Sequence, residues 1–245
     1  MKEILPILKI PVDSLPPDVL VCGDPARAEA IARELEQTEE LAYNREYRTF
    51  IGRYQGAPLA VCSHGVGAAG AAVCFEELIR AGARRLIRVG TAGSLSSEIR
   101  DGDLVIASAA VREDGLTEQL VPLSFPAVAD IGVTRALEES ARKAGVQCPT
   151  GIVLTVAAFY PALLDLPNNL MSKARCLAVE MECAALFVIA ALKGVQAGAV
   201  LAIDGMAIDF DADAYNPHRE AVHQAVSDGI GLSLEAAARL AKGEA

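Results

Sequence analysis

Short apolar runs of strand length alternate along this chain with segments of helical period, and this alternation limits the possible folds most sharply. The runs occupy residues 18–22, 58–63, 85–89, 103–108, 151–156 and 197–203. Between and after them, residues 25–35, 69–80, 133–144, 183–192 and 218–241 repeat apolar side chains at helical spacing. Gly82, Gly145 and Gly194 fall where helix C-terminal caps are expected. Strand and helix alternating in this way predict an α/β fold. We expect a single-domain, three-layer α-β-α arrangement with a central, largely parallel mixed sheet. No linker or internal repeat divides the chain, so residues 1–245 are read as one domain.

Composition narrows the function. Hydrophobic residues make up 52% and charged residues 22%, enough for one sizeable core. The net charge of −10 argues against binding a nucleic-acid backbone, which needs clustered Lys and Arg. No apolar run reaches the ~18 residues that span a bilayer. The start of the chain carries no signal-peptide pattern, so a cytoplasmic protein is expected. Six cysteines without a CxxC pair read as reduced core thiols, and three histidines without metal-ligand spacing predict no metal site.

The chemistry begins with Glu180 and Glu182, two carboxylates inside the otherwise apolar run 177–192. A buried carboxylate needs a partner, and no Lys or Arg occurs between Arg175 and Lys193. The partner must come from elsewhere in the fold or from a ligand, and sugar hydroxyls are suitable donors. The simpler reading is a charged first turn on a core helix.

In open α/β sheets, ligands bind beyond the carboxyl ends of the strands. Five segments bring functional chemistry there: 23–27, 63–64, 88–91, Phe159 and Asp204. Residues 65–70 match G-x-G-x-x-G, but the next strand ends in Arg88 instead of the acid that grips a dinucleotide ribose. An anion grip fits better. Arg27 lies in a first helical turn after Gly23, Arg88 beside the Thr91 hydroxyl, and Arg45 in the polar segment before a strand at 49–54. Together these groups suit one inorganic phosphate.

These pieces together resemble the nucleoside phosphorylases of the trimeric-to-hexameric class, which includes purine nucleoside phosphorylases and uridine phosphorylase. The likeness covers nearly the whole chain and is carried by the segments 20–27, 63–67, 74–78, 87–91, 110–114, 125–128, 179–182 and 203–205. Within that class it is nearest to the purine enzymes of malaria-type parasites. The resemblance implies that Gly23, Arg27, Arg88 and Thr91 hold phosphate, with Arg45 lent by a neighbouring subunit. It implies that Glu182 holds the ribose hydroxyls, with Glu180 near the 2′-hydroxyl and Met181 under the sugar. Phe159 and Val179 would lie against the base, and Asp204 would serve the purine N7 as catalytic acid. Phosphate is then a co-substrate, no cofactor is needed, and a homohexamer built as a trimer of dimers is expected.

Two departures from the class pattern bear on substrate. The Gln and Arg with which uridine phosphorylases read a pyrimidine are absent after Phe159-Tyr160-Pro161, which favours purines. Ile7 stands where relatives usually present a histidine to a neighbour's 5′-hydroxyl, so apolar 5′ substituents such as methylthio are expected to be tolerated. Residues 206–218 read as a lid over the base, with Phe210 as its apolar contact. His218 and His223 read as capping or surface groups, and His64 as a packing group. Uridine phosphorylase, a hydrolytic nucleosidase and a non-catalytic nucleoside-binding protein are the alternatives.

Overall fold

The apolar run Asp18–Cys22 forms β1, buried along its whole length at the middle of the sheet. It pairs in parallel with β4 (Ala57–Ser63) on one side and β5 (Arg85–Ser94) on the other. A computed structural model of the chain describes residues 3–208 and 215–243. Beyond β4 the sheet continues antiparallel through β3 (Tyr47–Tyr54) to β2 (Glu36–Asn44).

On the other side the sheet curls. β5 pairs with β10 (Gln196–Met206) and also with β9 (Ala178–Glu180). β10 leads to β6 (Leu104–Glu113), β6 to β8 (Thr150–Val156), and β8 back to β9. Five strands thus close a ring on β5, while β7 (Ala127–Val128) adds to the outside of β6. The mixed α/β architecture matches the expectation. Antiparallel pairings are nonetheless as frequent as parallel ones, because the ring and the β2–β3–β4 meander both reverse the chain.

Helices cover both faces, while the short α3 (Thr117–Leu120) and α5 (Asn168–Lys173) lie in the β6–β7 and β8–β9 connections. α2 (Ala68–Arg80) and α6 (Cys183–Lys193) pack together over one apolar cluster that includes Phe75, Leu78 and Phe187. α1 (Pro25–Arg33), α4 (Ile131–Ala144) and α7 (Glu220–Ala241) cover the other, around Ile31, Leu137 and Leu234. α6 is apolar on all sides and buried from Cys183 to Ala190, as a helix without a polar face must be. Gly145 and Gly194 cap α4 and α6 in the left-handed conformation, as their positions predict. Gly82 lies one residue beyond the Ala81 cap of α2.

Several boundaries differ from the sequence reading, each for a visible reason. β2 was not expected, since its Glu-Gln-Thr-Glu-Glu start is exposed and carries no apolar alternation. β3 begins at Tyr47, earlier than 49, because Tyr47 is the buried residue that turns the hairpin inward. β5 runs through Gly90 and Gly93 to Ser94, well past Val89, held by β10 along its full length. α7 starts at Glu220, which leaves His218 ahead of it and His223 in its first turn. All six cysteines are free thiols, five of them buried. No described helix is long and apolar enough to cross a membrane.

Candidate active site

A cavity of about 630 Å³ opens at the carboxyl ends of β1, β4, β5 and β8 and along β9 and β10. Its size suits a small molecule of nucleoside dimensions. The loop after β1 supplies one wall. Asp24 caps α1 by accepting the Ala26 N–H at 2.8 Å, which sets Arg27 in the first turn. Gly23 is needed because an added Cβ would stand 3.2 Å from the Gly65 carbonyl oxygen. The loop after β4 is fastened beside it, with the His64 and Gly65 N–H groups donating to the Cys22 and Gly23 carbonyls.

Arg27 is mostly buried and donates to the Val89 carbonyl at 3.3 Å. Among the described residues no carboxylate pairs with it. Burial, and then the nearby Arg88 charge, lower its pKa from the ordinary arginine value. A shielded guanidinium at a helix start, still lacking a counter-ion, favours an anionic ligand.

Arg88 provides what the two glutamates lack. Its side chain folds back over Gly90, where an added Cβ would lie 2.7 Å from the guanidinium. It donates to Glu180 from Nε at 3.3 Å and Nη2 at 3.2 Å, and to Glu182 from Nη2 at 2.5 Å. Nη1 lies 3.4 Å from His64 Nε2. Arg88 was expected to hold phosphate; it lines the cavity and also pairs with two buried carboxylates. Burial works to lower its pKa, yet the charges of Glu182 and Glu180 raise it overall.

The carboxylates differ in their surroundings. Glu180 closes β9 and also accepts from the Thr155 hydroxyl at 2.6 Å and from the Glu182 and Cys183 N–H groups at 2.7 and 2.9 Å. It therefore anchors the start of α6. Glu182 is the residue just before that helix and accepts from Gly67 N–H at 2.5 Å, so the glycine-rich loop closes onto it. Burial raises the Glu182 pKa, with the Glu180 charge acting the same way against Arg88.

Asp204 sits inside β10, where the register with β5 shifts between Ile203 and Gly205. Such an irregularity re-aims a side chain, and here it places a 7% exposed carboxyl group in the cavity wall. Burial raises its pKa, while hydrogen bonds from Tyr215 and Thr91 restrain the rise. Phe159, Val179 and Met181 line the same space.

Of the residues singled out from sequence, the cavity gathers Gly23, Arg27, Arg88, Thr91, Phe159, Val179, Glu180, Met181, Glu182 and Asp204. Arg45 does not line it. It occupies an exposed β2–β3 turn with φ +56°. Asn44 beside it donates to the Ile7 carbonyl at 2.7 Å, which brings the Ile7 turn next to the turn that carries Arg45. The Ile7 turn is held from below by the Glu77 carboxylate, which accepts the Ile7 and Leu8 N–H groups. Phe210 and its neighbours at 209–214, six of the thirteen residues of the expected lid, lie outside the described residues. His64 packs edge-on against Phe75 with Nδ1 2.8 Å from the Gly65 carbonyl oxygen. Burial and Arg88 push its pKa well below 6.5. Sequence reasoning missed Tyr215, Thr155 and Glu46, none of which carries a local pattern. No described group of three or more His, Cys, Asp or Glu side chains could hold a metal ion.

An unpaired arginine, paired glutamates and a buried acid around one cavity define a site for an anion, a polyhydroxyl group and a proton acceptor. Residues 17–242 match the phosphorylase superfamily, and the chain belongs to that family as a pentosyltransferase acting on nucleoside and phosphate. It is 39% identical over 244 residues to purine nucleoside phosphorylase of Plasmodium falciparum, covering 98% of each chain. It is 41% identical to uridine phosphorylase of Thermococcus kodakarensis over 197 residues, 76% of this chain and 71% of that one. The structure of purine nucleoside phosphorylase from Toxoplasma gondii in complex with immucillin-H superposes with a TM-score of 0.94 at 33% identity, covering 99% of this chain and 98% of that one.

Proposed function

We propose that this enzyme is a purine nucleoside phosphorylase, cleaving purine ribo- and deoxyribonucleosides with phosphate to free base and pentose 1-phosphate. The observation that carries this reading is Asp204, a buried carboxyl group with a raised pKa in the same cavity as Arg27 and Glu182. Leaving purines need an acid at N7, and the segment after Phe159 lacks the Gln and Arg expected of a pyrimidine reader.

Phosphate bound by Gly23, Arg27 and Thr91, beside Arg88, attacks the anomeric carbon as the bond to the base breaks. The transition state has oxocarbenium character. Phosphate and Glu182 offset its positive charge, Glu180 fixes Arg88 and approaches the 2′-hydroxyl, and Met181 packs under the sugar. Phe159 and Val179 lie along the base. The glycosidic electron pair passes to the purine, which takes a proton at N7 from Asp204. In an oligomer, expected to be a hexamer built from dimers, Arg45 of one subunit completes the phosphate grip of another. Such an enzyme would serve purine salvage in the cytoplasm.

The test is base release from inosine, guanosine, adenosine and uridine, each with and without phosphate. Release from purine nucleosides only with phosphate is expected; faster release from uridine, or release indifferent to phosphate, refutes the reading. Ile7, in the turn next to that of Arg45, would give a neighbour's 5′ position an apolar wall. The kcat/KM for 5′-methylthioinosine is therefore expected to match or exceed that for inosine, and a strong preference for inosine counts against it.

A further inference from the structure

One contact in the cavity stands apart from the phosphate and sugar groups. The Tyr215 hydroxyl donates to Asp204 Oδ2 at 2.7 Å. Its ring meets the Phe159 ring edge-on, with centroids 5.7 Å apart. The same ring lies over Gly205, where an added Cβ would come within 3.2 Å of it. Tyr215 therefore rests in a cradle made by Gly205, between the acid and the aromatic assigned to the base, and lines the cavity with them. A purine that bonded Asp204 through N7 and lay against Phe159 would have to reach the two groups that this ring now touches.

We infer that Tyr215 is a positioning residue that latches Asp204 in the free enzyme and is displaced by the incoming purine. The inference rests on the purine reading of the site. A phenol donor favours the carboxylate over the carboxylic acid. When the purine takes the place of the phenol, Asp204 loses that donor. It then takes up one proton from solvent. That proton leaves on N7 of the departing base, and the tyrosine itself gives up none. Among the described residues, the groups facing Asp204 are Arg27 from α1, Thr91 from β5 and Tyr215, with Tyr160 acting on Tyr215. Of these, Tyr215 is the one that also touches Phe159.

Tyr215→Phe tests this, since it keeps the ring and removes the hydroxyl. Calorimetric titration with inosine in phosphate-free buffer measures binding without turnover. The variant has no bond to Asp204 to surrender, so inosine is expected to bind roughly tenfold more tightly than to the wild type. The high-pH limb of its kcat/KM profile is expected to move to higher pH, because the donor that favoured the ionised acid is gone. Both changes are required. Weaker inosine binding would make Tyr215 a substrate contact and overturn the latch; unchanged binding, or a limb that stays put, overturns it equally. If the wild type releases no hypoxanthine with phosphate, the proposed reaction fails, while the two inosine affinities still report on the latch.

Discussion

Replacing Glu180 by glutamine separates what the Arg88 network does for the fold from what it does for substrate. The Glu180 carboxylate accepts five hydrogen bonds, four at Oε2 and one at Oε1. A glutamine oxygen can serve the crowded Oε2 side, which turns the amide nitrogen toward Thr155. The Thr155 hydroxyl already accepts the Ala184 N–H at 3.0 Å. Accepting the new amide as well strands its own proton in a fully buried position. Arg88 meanwhile keeps Glu182 as its one carboxylate. Removing one member of a buried pair costs ~3–5 kcal/mol; with Glu182 still in place, about 3 kcal/mol is expected. For a chain of this size each kcal/mol moves Tm by ~2–4 °C, so Tm falls by about 6–12 °C. Thermal melts at one fixed protomer concentration measure this, because assembly alone shifts Tm. Glu182→Gln is the contrast. Burial and the Glu180 charge already raise the Glu182 pKa, so its ionised form opposes folding at neutral pH. Its glutamine variant is expected within about 2 °C of wild type, under roughly 1 kcal/mol, yet with base release severely reduced. If Glu180→Gln melts with the wild type, or Glu182→Gln melts below Glu180→Gln, the division of duties between the two carboxylates is wrong.

Asp204→Asn is expected to lower kcat for inosine by ~10²–10⁴-fold, but to spare 7-methylinosine, whose base already carries the positive charge. Equal losses on both substrates would remove the acid role. Arg27→Met is expected to raise the phosphate KM by roughly 10- to 100-fold, the worth of a hydrogen bond to a charged group, with the inosine KM nearly unchanged in assays that vary each substrate. His64 gives a pH signature in stability. Its folded pKa lies well below 6.5, so its contribution is complete above that pH and is lost as pH falls toward the folded value. His64→Gln is expected to flatten the urea-stability slope between pH 6.5 and 5; an unchanged slope there assigns the acid sensitivity to other groups.

What the sequence discloses depends on how far apart the cooperating residues stand. Strand runs and helical periods are local, so β1, α2, α4 and α6 can be read off within a residue or two. β2 escapes because its stability comes from pairing with β3 and not from burial of its own side chains. The polar residues at strand ends are legible as candidates, since the α/β pattern says where strand ends converge. Their pairing is not. Arg88 stands 92 residues from Glu180 and 94 from Glu182. Two readings of Arg88, as phosphate ligand and as counter-ion to buried acids, satisfy the sequence equally. Only the ring closed by β9 between β5 and β8 brings the acids onto the arginine. Asp204 shows the same limit from the other side. An Asp-Gly pair reads naturally as a turn after a strand, whereas β10 continues to Met206 and holds the acid at a register shift. A turn would leave the carboxyl group solvated and ionised. Within the strand it is shielded and its pKa rises, as the proposed proton transfer from Asp204 requires. The step from Asp-Gly as punctuation to Asp204 as a buried carboxyl group is therefore a property of strand pairing, which no local stretch of sequence records.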